Sequence, residues 1–230
     1  MTKPVALIVG VGDGLSASLA RLLVKDGYKV ALAARNVARL AGLAAEVAGQ
    51  AFAVDAGDAG QVATLFDQVD AKLGAPEVVI YNASGRERGP LIDLDPAKVA
   101  QAITVSGFGG FLVAQQAARR MVPRGRGTIL MTGASASVKG YANSASFAMG
   151  KFALRGLAQS IARELAPKGI HVAHVVIDGA IRSASYRDPA DRPDSTLDPD
   201  AVAQSYMDLL HQPRSAWTWE IELRPWVENF

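Results

Sequence analysis

The sequence predicts a doubly wound α/β fold in one domain, and three observations predict it. Short apolar runs alternate with longer stretches of helical periodicity along the whole chain. The apolar runs are nearly continuous, as suits strands of a parallel sheet buried on both faces. A glycine cluster follows the first run and opens the first helical stretch, where a strand-to-helix turn belongs. The 230 residues supply one sizeable core and not clearly two.

The strands expected in order are "VALIVG" (5–10), "KVALAA" (29–34), "AFAV" (51–54), "EVVIY" (77–81), "GTILMT" (127–132) and "HVAHVVI" (171–177). Helices are expected between them at 14–26, 36–48, 58–73, 96–122 and 144–167. A late helix (199–211) and a last strand (219–223) close the chain. No repeat, low-complexity tract or flexible linker interrupts the pattern. The longest irregular piece is 178–198, rich in Ser, Asp, Arg and Pro. It follows a strand's C-terminal end, where open α/β sheets bind ligands, so it is either a substrate loop or a surface loop without a role. The C-terminal strand and tail span about 217–230.

The net charge of +2 does not suggest nucleic-acid binding. Arg119, Arg120, Arg124 and Arg126 form the densest basic cluster and read as a helix C-terminus and turn, where cations suit the dipole. There is no cysteine, hence no disulfide framework or thiol chemistry. No window approaches a membrane span and the N-terminus lacks a signal-peptide pattern, so a soluble, cytoplasmic protein is expected. His171, His174 and His211 lack metal-ligand spacing, and the first two face opposite sides of a strand. No metal site is expected. "TGASAS" is not a nucleophile elbow.

The turn "GVGDGLS", Gly10 to Ser16, has the chemistry of a pyrophosphate cradle. Glycines allow a tight turn and close backbone approach, and the helix N-terminus offers N–H donors. Gly10, Gly12, Asp13, Gly14 and Leu15 are the candidate residues. After the second strand stand Ala34, Arg35 and Asn36. A cofactor with a free ribose 2′-hydroxyl usually meets an Asp or Glu here, whereas a cation suits a 2′-phosphate. Arg35 therefore favours NADP over NAD, unless it is merely an exposed helix-start residue. Asp13 would oppose a 2′-phosphate if it pointed that way.

Taken together, these motifs resemble the classical short-chain dehydrogenase/reductase family, a Rossmann-fold family, over nearly the whole chain. "GVGDGLS" is similar to its glycine motif with Ser16 at the third glycine. Asp55, with Ala56 beside it, matches the family's adenine-holding aspartate. "YNAS" (81–84) is similar to its NNAG motif, keeping Asn82 and Ala83, with Ser84 following. "GKFALRGLAQSIARELAPKGIHV" is similar to its active-site helix and the next strand. The resemblance places Lys151 on the catalytic lysine that holds the nicotinamide ribose. That would explain a cation with Phe147, Ala148, Leu154 and Arg155 as its helical neighbours and no carboxylate among them.

The same comparison exposes departures. The catalytic tyrosine position is Phe147, the serine position is Ala134 with Ser135 next to it, and the asparagine position is Ser106. Hydride transfer still needs a proton for the oxygen and a donor for the developing oxyanion. Tyr141 and Ser135 are the candidate substitutes, with Lys151 acting through a water as a third; Ser106 completes the candidate set. Phe147, Tyr141 and Phe108 suggest an apolar pocket, and Arg86 and Arg88 either meet an acidic substrate or are solvated loop residues. The expected activity is an NADP(H)-dependent oxidoreductase acting on a small-molecule carbonyl or alcohol. The alternative is a catalytically weak or inactive NADP-binding regulatory or scaffold protein.

Self-association as a dimer or tetramer is also expected. The helix 144–167 carries Met149, Phe152, Ala153, Gly156, Leu157 and Ala162 on more than one face, more than packing on the sheet requires. The tail adds Trp217, Trp219, Trp226 and Phe230.

Overall fold

The computed structural model describes residues 3–183 and 186–228. Seven strands form one sheet: β1 (Val5–Val9), β2 (Lys29–Ala34), β3 (Gln50–Ala53), β4 (Val78–Tyr81), β5 (Gly127–Thr132), β6 (Ile170–Ile177) and β7 (Glu220–Leu223). Their order is β3-β2-β1-β4-β5-β6-β7, and every pairing is parallel. β1, β4 and β6 are buried along their whole length, which is why their sequences show no apolar/polar alternation; β6 buries His171 and His174 among its apolar residues.

Helices cover both faces. α3 (Ala59–Lys72), α5 (Gly109–Met121) and α6 (Ala145–Leu165) close one core around Leu7, Phe66, Val113 and Leu154. α1 (Leu15–Lys25), α2 (Ala41–Glu46) and α7 (Pro199–Leu210) close the other around Ile8, Leu19, Leu32 and Tyr206. Aspartates mark three helix starts: Asp58, Asp95 and Asp198 each accept backbone N–H bonds from the first turn they precede.

Two helices differ from the sequence expectation. The stretch 36–48 begins as a tight turn at Val37–Leu40 before α2. The helix expected over 96–122 is α4 (Pro96–Ile103), a wider π turn at Thr104–Phe108, and then α5. The buried Tyr81 hydroxyl donates to the Val105 carbonyl, a group inside that wider turn. By length and composition Pro96–Arg124 would suffice to cross a membrane, contrary to the sequence reading; half of its most apolar window is buried inside the fold.

Three of the four arginines of the basic cluster are taken up by local pairing, and Arg119 is exposed. Arg120 bonds Asp67 and Asp70, Arg124 bonds the carbonyls of Ala75, Pro76 and Arg120, and Arg126 meets Glu77. Within 178–198, the described residues fold back on themselves. Ile181 bridges Leu197, Arg182 pairs with Asp198, and Asp188 accepts from Thr196 at 2.7 and 2.8 Å.

The strand order reverses between β1 and β4. The two chains leaving those strands diverge to opposite sides of the sheet and open a crevice at its C-terminal edge, the ordinary ligand position in such sheets.

Candidate active site

Two adjoining hollows lie along that edge. The first, about 370 Å³, is lined by Gly10, Gly12 and Asp13 after β1, by Arg35, Asn36 and Arg39 after β2, by Asp55 and Ala56 after β3, and by Asn82, Ala83 and Ser84 after β4. The second, about 570 Å³, is lined from the loops after β4, β5 and β6 and from the start of α6. Asn82 and Ser84 line both.

The glycine turn is braced against the loop after β4. Gly10 has a φ of +93°, and a Cβ there would lie 2.2 Å from the Ala83 nitrogen, so only glycine lets the two loops meet. The Asn82 side-chain amide donates to Ser16 Oγ at 2.6 Å, and that hydroxyl donates to the Gly10 carbonyl at 3.2 Å. Ser16 is thus a brace for the turn. A Cβ at Gly12 would meet nothing within 4 Å, which leaves backbone open to the hollow. Asp55 accepts from the Gly57 N–H at 2.9 Å. This donor set fits a dinucleotide: exposed backbone at a helix start, two arginines beyond β2 and a carboxylate beyond β3.

Of the residues expected in the cradle, Gly14 and Leu15 do not line it. Gly14 is the residue before α1, packed near Ile181 and Arg182, and Leu15 is buried in the core. Arg39 was missed. It follows Arg35 by four positions, lines the hollow, and stands 4.0 Å from Asp13. Asp13 therefore has a cation beside it.

In the second hollow Lys151, Tyr141 and Ser135 come together with Ala134 and Phe147. Ser106 does not reach it: fully buried in the π turn, its hydroxyl bonds the backbone of Gly85. The Lys151 side chain emerges from α6 to donate to the Thr132 carbonyl at 2.7 Å. Thr132 ends β5, and its hydroxyl pairs with Tyr206 at 2.8 Å. The lysine's partner is thus backbone, which no scan of side chains along the helix could have found. Its Nζ lies 5.8 Å from the centre of the Phe147 ring. Tyr141 is about half exposed, on the loop between β5 and α6. Of 178–198, residues 178–181 line this hollow.

Lys151 is 3% exposed. Burial, and after it the charge of Arg86, push its ammonium down to about 7. Nearby His174 is pushed down to about 4 by burial, although its Nδ1 meets Glu220 at 3.0 Å, so it is neutral at physiological pH.

A parallel sheet with its ligand crevice at a strand-order reversal and a glycine-braced cradle define a dinucleotide-binding α/β protein. The family model for short chain dehydrogenases matches residues 4–188. The chain belongs to the short-chain dehydrogenase family. It is 27% identical to an uncharacterised oxidoreductase of Staphylococcus aureus (strain N315) over 231 residues, covering 98% of each. It is 28% identical to the L-2,3-butanediol dehydrogenase of Corynebacterium glutamicum over 186 residues, covering 77% of this chain and 71% of that protein. Among solved structures it is similar to a short-chain dehydrogenase from Rhodopseudomonas palustris, with a TM-score of 0.83, 35% identity, and coverage of 97% and 99%. It is also similar to a metagenomic short-chain oxidoreductase solved in complex with NADP, with a TM-score of 0.84, 28% identity, and coverage of 98% of each chain.

The buried lysine has a consequence for stability. Below about pH 7 Lys151 is protonated in both folded and unfolded chains, and the folded state bears the whole cost of the buried charge. Between there and the ordinary lysine range the folded chain sheds the proton first and the cost declines. Lys151→Met should therefore stabilise the protein by roughly 3–5 kcal/mol at about pH 6 and by under about 1 kcal/mol at about pH 10. Urea unfolding at the two pH values measures this; an equal gain at both would contradict it.

Proposed function

We propose that the chain is an NADP(H)-dependent oxidoreductase for a carbonyl/alcohol pair, in which Lys151 holds the proton that the family's tyrosine otherwise supplies. The observation that carries this reading is the shared wall at Asn82 and Ser84, where a hollow suited to a dinucleotide adjoins a cleft containing a buried lysine pushed down to about 7. Arg35 and Arg39 beyond β2 suit the 2′-phosphate of NADP, in keeping with the NADP-bound metagenomic relative.

The nicotinamide, when bound, supplies or takes up a hydride at the reacting carbon. The chain's task is the oxygen. In reduction the carbonyl π electrons move onto oxygen as the carbon gains hydride, and Lys151 gives that oxygen a proton. Lys151 is left neutral, the form its burial favours. Ser135 and Tyr141 offer the hydroxyl donors that the developing oxyanion needs. In alcohol oxidation neutral Lys151 takes the proton back.

Phe108 and Phe111 stack at 5.9 Å between ring centres and are exposed, as are Met149 and Phe152 on adjoining α6. Ala153 and Gly156 continue that exposed stripe, whereas Leu157 and Ala162 pack on the core. This face supports self-association. Of the tail's aromatics, Trp217 stacks on His171 and Trp219 lies by Arg155, Trp226 is exposed and free to join such a contact, and Phe230 falls outside the described residues.

Three outcomes are expected. In equilibrium titrations NADPH should bind at least about tenfold more tightly than NADH, and Arg35→Ala should remove most of that difference; equal wild-type affinities would remove the argument. The kcat/KM for carbonyl reduction should fall about tenfold per pH unit above Lys151's titration near 7, and that for alcohol oxidation should fall below it. Lys151→Met should erase this limb and lower turnover by about 10²–10⁴-fold. If Tyr141→Phe erases it instead, the proton belongs to Tyr141. Sedimentation at micromolar concentration should show a dimer or tetramer that Phe152→Glu dissociates, and a monomeric wild type would count against the exposed stripe as an interface.

A further inference from the structure

The chain leaving β4 is held more firmly than a cofactor-side loop needs to be. Residues 84–88 alternate: Ser84, Arg86 and Arg88 are exposed and line the substrate-side cleft, while Gly85 and Glu87 turn toward the helices. Each inward residue is gripped at both backbone groups by one fully buried serine. Ser106 Oγ accepts from the Gly85 N–H at 2.9 Å and donates to the Gly85 carbonyl at 3.2 Å. Ser146 Oγ accepts from the Glu87 N–H at 2.9 Å and donates to the Glu87 carbonyl at 2.8 Å. A hydroxyl has one proton and two lone pairs. Each serine thereby does for one residue what a neighbouring strand would do, and the segment stays extended. A Cβ on Gly85 would lie 2.6 Å from Ala102 Cα, so the segment rests directly on α4.

The clamp aims Arg86 and Arg88 to the same side. The Arg86 guanidinium lies 3.7 Å from the centre of the Phe147 ring. Stacking uses the face of the guanidinium and leaves its edge N–H donors available. Among the described residues no carboxylate lies within ion-pair distance of Arg86 or Arg88; Glu87, between them, meets Lys98 at 3.7 Å. The cleft's buried acid, Asp178, is already shared by Lys139 at 3.4 Å and Arg224 at 3.8 Å, and Glu228 lines the same cleft. Two arginines and Lys151 thus face one hollow with less negative charge to answer them.

We propose that Arg86 is the anchor for a carboxylate on the substrate, so that the cleft takes an oxo acid (or the matching hydroxy acid) whose carbonyl lies beside Lys151. The planar fork of Arg86 matches a carboxylate through two parallel N–H bonds. Phe147, which carries no hydroxyl, serves as the platform that holds the fork. Ser106 and Ser146 are positioning residues that act through the backbone of Gly85 and Glu87. The inference rests on the oxidoreductase reading and narrows it to a substrate class.

The test is calorimetric titration of the intact protein with straight-chain oxo acids of about four to eight carbons, each against its primary amide and its phosphonate counterpart. At least one acid should bind about 10–100-fold more tightly than its amide. Arg86→Gln, which alters an exposed side chain, should bring that ratio to within about threefold, and Arg86→Lys should retain part of it. Ser146→Ala should lower acid affinity by a larger factor than amide affinity, and so lower the acid-to-amide ratio, a split that a general loss of stability would not produce. No acid outbinding its amide, a ratio unmoved by Arg86→Gln, or phosphonates outbinding the acids would each overturn the carboxylate anchor. NADPH consumption judges the parent reading separately. Arg86-dependent acid binding without reduction of any acid would uphold the anchor and sink the oxidoreductase; reduction of neutral ketones with no acid preference would do the reverse.

Discussion

The ammonium of Lys151 is buried at the end of β5 with one backbone carbonyl as its partner, and the character of the cleft depends on that burial. A cation in such a place is costly unless something anionic arrives or a proton leaves. Phe147, one helical turn earlier, offers no hydroxyl, and Arg86 adds a second positive charge across its ring. The outcome is a lysine close to neutrality at physiological pH, beside a hollow that opens to solvent. A group that changes protonation there is suited to give a proton to an oxygen or to take one from it.

The sheet makes this burial possible. β4, β5 and β6 are central strands covered on both faces, and their C-terminal ends deliver Asn82, Thr132 and Ile177 to one rim. Small hydroxyls then fix the loops that leave those ends. Ser16 braces the glycine turn, while Ser106 and Ser146 hold the segment after β4. Ser106, bonded to Gly85 and absent from the lining of the cleft, shapes its wall without touching its contents. The wall in turn sets the direction of Arg86.

Much of the fold was legible in the sequence because its signals are local. Continuous apolar runs gave the strands, and Asp58, Asp95 and Asp198 stand where three helices begin. The π turn at 104–108 was not legible, since a shift of one residue in the hydrogen-bond ladder barely disturbs helical periodicity. That Gly10, Arg35, Asp55 and Asn82 would meet at one hollow was readable, because each stands in a short motif at a strand's C-terminal end. Arg39 escaped notice because it falls inside the expected helix 36–48, past the strand-end motif that drew attention to Arg35. The catalytic side was harder. Lys151's bond to Thr132 spans 19 residues and ends on backbone, and the clamps on Gly85 and Glu87 come from 21 and 59 residues away. Such contacts are made by tertiary packing, and no spacing in the chain announces them.

Hydride transfer in a cleft where Phe147, one helical turn before Lys151, offers no hydroxyl is the central claim, and isotope transfer tests it most directly. NADPH deuterated at the transferring carbon would be mixed anaerobically with the protein and a panel of oxo acids and neutral ketones, and the products examined by mass spectrometry. The expected result is deuterium on the carbinol carbon of at least one product, with nicotinamide oxidation slowed by the label. Tight NADPH binding with no deuterium in any product across the panel would contradict it.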